Sequence, residues 1–143
     1  MVDLSKSMEQ YLETIYELEK EGKTASVSDI AEAHGVKLPS VTYVLRKLSH
    51  SDLDLVNYER YTREVSLTKK GKEIAVRLEK THEALRWFFE MIGLNPKIAN
   101  TDACELEHLV HPQTVDKLTS FVEWVKNDET ATDWLARFRA RKN

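Results

Sequence analysis

The chain has 143 residues, the size of one domain or of two very small ones, and 41% of them are hydrophobic, which excludes a disordered composition. No apolar run approaches the ~20 residues of a membrane span, the first six residues carry no signal-peptide pattern, and the single cysteine, Cys104, excludes an intrachain disulfide and suits a reducing cytoplasm. The net charge of −3 speaks against nucleic acid, but residues 37–72 hold eight Lys/Arg against four Asp/Glu, a basic segment suited to phosphates within an acidic protein.

Met8, Leu12, Ile15 and Leu18 recur at helical spacing until Gly22, predicting a first helix over about 5–21. Ser28 is expected to cap a short helix over 29–34 that Gly35 ends. Leu38-Pro39-Ser40 opens a third helix with Val41, Val44, Leu45 and Leu48 as its buried stripe. Residues 55–58 and 64–68 have strand character, and the arginine- and tyrosine-rich turn 59–63 joins them into a hairpin. A long helix follows from Lys69 to about 92, with Ile74, Leu78, Leu85, Phe89 and Ile92 in line and Gly93 at its end. Three further helices are predicted over about 97–110, 113–126 and 130–139. The sixth carries Val115, Leu118, Val122 and Val125 on one face, and the last carries Trp134, Leu135 and Phe138.

Two helices, a turn, a third helix and a hairpin are the order of a winged helix. Ile30, Ala31 and Val36 are expected to point inward, with Gly35 in the turn. The exposed side of the third helix would offer Pro39, Ser40, Thr42, Tyr43, Arg46 and Lys47 to phosphates and base edges of the major groove. Arg60 and Arg63 at the hairpin tip suit the DNA backbone or the minor groove. The competing reading is a winged helix that binds protein.

Farther along, Cys104, Glu107 and His108 stand at i, i+3 and i+4, one face of a helix. A thiol, a carboxylate and an imidazole together are a donor set for a transition metal. His82 lies on the apolar line of the long helix, so it points inward, either as a hydrogen-bonded core histidine or as a ligand. His111 extends the stripe but precedes Pro112 at a helix end.

These residues resemble the diphtheria toxin repressor family of metal-dependent repressors, in its short, manganese transport regulator-like branch. The resemblance is carried by Ser7 to Tyr16, Val27 to Ala31, Pro39 to Thr42, Leu67 to Lys72 and the Cys104-x-x-Glu107-His108 spacing, and it covers the chain from Ser7 to about Trp124. It implies a mainly α protein. An N-terminal winged helix-turn-helix with a two-stranded wing (1–72) precedes a helical metal-binding and dimerisation domain (73–143), with no C-terminal SH3-like domain. It implies a metal-activated repressor that binds palindromic operator DNA as a homodimer and controls metal homeostasis, cytoplasmic and without enzymatic activity. The implied ligands are Gln10, Glu13, His82, Cys104, Glu107 and His108. The chain departs from the family pattern in three places: Gln10 is a weak donor, Arg86 replaces a carboxylate, and Asn100 replaces a histidine of a second site. One thiolate among imidazoles and carboxylates suits Fe²⁺ or Mn²⁺, with Zn²⁺ or Co²⁺ binding in vitro. The departures motivate an alternative, a DNA-binding regulator no longer gated by metal and either constitutive or thiol-controlled. A metalloenzyme would need further acid–base residues and a lid, which the sequence lacks.

Overall fold

The computed structural model describes residues 3–141, which fall into two compact units divided between Arg77 and Leu78. In the first unit, Ser5 accepts a hydrogen bond from the Met8 amide and starts α1 (Lys6–Lys20), which buries Tyr11, Leu12 and Ile15. A short strand, β1 (Ala25–Ser26), runs directly into α2 (Val27–His34). The cap of α2 is Ser26, not Ser28. Its hydroxyl accepts from the Asp29 amide while the Asp29 carboxylate accepts from the Ser26 amide, a reciprocal pair that Ser28, already inside the helix, cannot form. Gly35 ends α2 at φ +63°, a left-handed conformation that favours glycine.

α3 (Leu38–Ser49) begins with Pro39 in its first turn and buries Val41, Leu45 and Leu48, with Val44 partly buried. β2 (Val56–Tyr58) and β3 (Glu64–Leu67) follow. The sheet has three antiparallel strands in the order β1-β3-β2, so the wing is one strand wider than the expected hairpin. Ala25 pairs with Val65 and Ser26 with Glu64, while Val56, Asn57 and Tyr58 pair with Leu67, Ser66 and Val65. Leu12, Ile15, Val27, Ile30, Val41, Leu45, Leu48, Val56 and Val65 form the sealed centre of this unit. Val36, expected inside, is 40% exposed: it lies in the turn after Gly35, outside the helix, where its amide bonds back to the Ala31 carbonyl.

α4 (Lys69–Met91) crosses the division between the units. The second unit continues with α5 (Pro96–Leu106), α6 (Pro112–Asn127) and α7 (Glu129–Arg139). Its core gathers Met91, Val122, Val125, Ala131 and Leu135, with Phe88 and Phe121 packed beside them. Trp134 and Phe138 are 52% and 40% exposed, so the buried face of α7 is set by the small Ala131 and by Leu135 rather than by its aromatics, and Ile92, expected in line with the core, is 38% exposed. No helix among the described residues is long and apolar enough to cross a membrane.

Candidate metal centre and nucleic-acid surface

Leu106 is the last residue of α5, earlier than the expected end near 110, yet Glu107 keeps helical dihedrals (φ −56°, ψ −27°) and its amide bonds to the Ala103 carbonyl. The Cys104–Glu107 spacing therefore survives as one helical turn. The Glu107 side chain is 3% exposed. Its Oε2 lies 2.8 Å from His82 Nδ1, delivered by α4, and its Oε1 lies 3.5 Å from Nε2 of His108, a second buried imidazole. Cys104 Sγ lies 3.7 Å from the same His82 Nδ1. Donor atoms of His82, Cys104 and Glu107 all fall within 4.8 Å of one another. The Glu107 carboxylate holds the imidazole of His82 in its protonated form above the ordinary range, against the opposing effect of burial.

This donor set fits a divalent transition metal: one soft sulfur, borderline nitrogens and one hard carboxylate, with the thiol at the exposed edge and the carboxylate inside. His82 and Glu107 are 25 residues apart, so their meeting depends on α4 and α5 packing together. The far ring nitrogen of His82, Nε2, lies 3.0 Å from Asn100 Oδ1. Asn100, noted in the sequence as replacing a second-site histidine, sits four residues before Cys104 on the same helical face. His111 does not join the group. Its Nδ1 accepts from the Gln113 amide and caps α6. Arg86 is held by Glu90 at 3.0 Å and Glu83 at 3.1 Å. Gln10 and Glu13 are half-buried on α1 of the first unit.

On the first unit, the outer side of α3 presents Pro39, Ser40, Tyr43, Arg46 and Lys47 to solvent. Lys47 Nζ stands 4.6 Å above the Tyr43 ring, and Tyr43 is 60% exposed. Thr42 is only half-buried rather than fully outward, and its hydroxyl donates to the Pro39 carbonyl at 3.0 Å. In the wing loop, Arg63 adopts φ +59° and its amide bonds to the Glu59 carbonyl at 2.8 Å. That fold of the loop leaves Arg60 and Arg63 exposed on either side of Tyr61, which is 96% exposed. The sequence marks Tyr61 as part of the turn but not as a candidate contact. A lone tyrosine between two arginines has no periodicity to mark it.

Residues 3–63 match the family described as iron dependent repressor, N-terminal DNA binding domain, and residues 68–134 match iron dependent repressor, metal binding and dimerisation domain. The chain is 39% identical over 137 residues to the HTH-type transcriptional regulator MntR of Shouchella clausii, covering 96% of this chain and 94% of that one. It is 38% identical over 135 residues to MntR of Geobacillus thermodenitrificans, covering 94% of both. Among solved structures, the manganese regulator SloR superposes with a TM-score of 0.68 at 30% identity over 82% of this chain, which spans about half of SloR (54%). A hypothetical protein of Sulfolobus solfataricus shares the fold at a TM-score of 0.67 and 24% identity, covering 83% of this chain and 89% of that one.

Proposed function

This chain belongs to the iron-dependent repressor family of metal-dependent, DNA-binding transcriptional regulators, and from that premise we propose which of its residues carry the function. His82, Cys104, Glu107 and His108 hold a divalent cation, with Gln10 and Glu13 on α1 as further donors. The observation that carries this reading is the convergence of His82 Nδ1, Cys104 Sγ and the Glu107 carboxylate within 4.8 Å. A bound metal would supply the positive charge that these donors are arranged to neutralise, and the metal-bound chain is proposed to favour its DNA-binding conformer. Its binding needs a thiolate and an unprotonated imidazole nitrogen, so protons compete with it.

The chain acts as a homodimer on a near-palindromic operator, in the cytoplasm and without catalysing a reaction. Pro39, Ser40, Thr42, Tyr43, Arg46 and Lys47 read the major groove, and Arg60 and Arg63 grip the flanking backbone or minor groove. Fe²⁺ or Mn²⁺ is the effector, while Zn²⁺ and Co²⁺ bind in vitro by raw affinity. The Arg86 guanidinium, paired with Glu83 and Glu90, is not among the proposed donors.

The test is fluorescence anisotropy on operator DNA in chelator, then in Mn²⁺, anaerobic Fe²⁺ and Zn²⁺. Wild type is expected to bind more tightly with metal. Cys104→Ala and Glu107→Ala are expected to lose that response while keeping their circular dichroism, and a variant that stays metal-responsive overturns the assignment. The exposure of Cys104 favours one second reading, thiol control without metal gating. Equal, tight binding in chelator and in metal, abolished by peroxide, would establish it instead.

A further inference from the structure

Asn100 has no place in the donor set, yet it contacts the ring nitrogen of His82 that faces away from that set. The imidazole lies between three partners from the same neighbouring segment. Nδ1 faces Glu107 Oε2 at 2.8 Å and Cys104 Sγ at 3.7 Å, and Nε2 faces Asn100 Oδ1 at 3.0 Å. A neutral imidazole has one N–H and one lone pair. A cation at Nδ1 requires the lone pair there, so the remaining hydrogen must sit on Nε2, where it needs an acceptor. The amide oxygen of Asn100 is that acceptor. With both ring edges engaged, rotating the ring would break the bond to Asn100 and turn Nδ1 away from Cys104 and Glu107.

We infer that Asn100 is a positioning residue of the metal centre: by accepting the Nε2–H of His82 it fixes the ring's tautomer and orientation and makes Nδ1 the metal-donating atom. This inference rests on the proposed metal centre and adds to it a residue that touches no metal. Partners of this kind orient histidine ligands in general, and their loss typically costs about 10- to 100-fold in metal affinity. Asn100 is exposed, so water can partly replace it, and the lower end of that range is expected.

The experiment compares Asn100→Leu, which keeps similar bulk but offers no acceptor, with Asn100→Asp, which keeps an acceptor at the same reach. Zn²⁺ serves as a diamagnetic probe, its affinity measured by competition with a chelating dye. Nitrogen-15 NMR of histidine-labelled protein reports the state of each ring nitrogen of His82. Wild type and Asn100→Asp are expected to show a metal-shifted Nδ1 and an Nε2–H slow to exchange with water. Asn100→Leu is expected to bind Zn²⁺ about tenfold more weakly and to lose the slow exchange, with an unchanged circular dichroism spectrum. Asn100→Leu with affinity within about twofold of wild type and unaltered His82 resonances overturns the inference. A His82→Ala control separates the two layers. Undiminished Zn²⁺ binding in that variant sinks the metal centre itself, whereas lost binding there with an unaffected Asn100→Leu sinks only the positioning role.

Discussion

His34 brings a titration into the helix-turn-helix unit. Its ring stacks on Tyr11 at 4.4 Å with 19° between the planes, and its Nε2 lies 2.8 Å from the Thr14 hydroxyl, so it ties the end of α2 to α1. Burial lowers its pKa from the ordinary 6.5. The folded state therefore holds this proton less well than the unfolded chain. The corresponding stability is complete above about pH 6.5 and is lost as pH falls through the lowered value. Melting temperatures of the metal-free protein are expected to drop between pH 7.5 and 5 more steeply for wild type than for His34→Gln. Parallel curves would show that another group titrates. At this scale the sequence was half legible. Cys104 and Glu107 announce themselves because one helical turn brings them together, with His108 next in the turn beyond α5. The pairing of His82 with Glu107, and of His34 with Tyr11 and Thr14, depends on helices far apart in sequence and leaves no local trace.

Two junctions decide how the elements meet. Where β3 gives way to α4, the Thr68 hydroxyl accepts from the Gly71 amide and donates to the Asp54 carbonyl at 2.7 Å. A Cβ on Gly71 would strike the Leu55 carbonyl oxygen, a backbone atom with no freedom to yield. Gly71→Ala is expected to destabilise the protein by about 1–3 kcal/mol, the usual cost of overpacking, read from urea denaturation. An unchanged midpoint would show that the β2 segment moves aside. At the other junction, Ser26→Ala is expected to cost about 1 kcal/mol as a lost cap, whereas Ser28→Ala should be nearly neutral. Equal losses would contradict the capping pair. The long helices α1, α4 and α6 were legible here because 3.6-residue periodicity is strong over four or more turns, whereas the end of α5 at Leu106 was not. The choice between Ser26 and Ser28 was not, since either serine can cap a helix. What selects Ser26 is its pairing with Glu64 in a two-residue strand, too short to leave an alternating pattern.

For the whole molecule, a net charge of −3 coexists with a basic middle segment, so DNA affinity rests on a few cations rather than on overall attraction. Each phosphate contact contributes about −0.9 to the slope of log affinity against log salt. Removing Arg60 and Arg63 together is expected to make that slope shallower by about two, while leaving the preference among operator sequences nearly intact. A slope that does not change would show that the wing stays clear of the phosphates. The winged-helix order and the presence of a second helical unit were legible from turn residues and apolar stripes. The strand that widens the wing was not, although it ties the wing to the helix-turn-helix. Ser26 closes β1 and opens α2 without an intervening residue, and the Val27 amide reaches across to the Arg63 carbonyl at 3.3 Å. The wing and the helix-turn-helix are thus two arms of a calliper set to one opening. With both arms on DNA as proposed, a base pair inserted between their sites is expected to weaken binding, because the two-residue strand leaves no spare linker to span it.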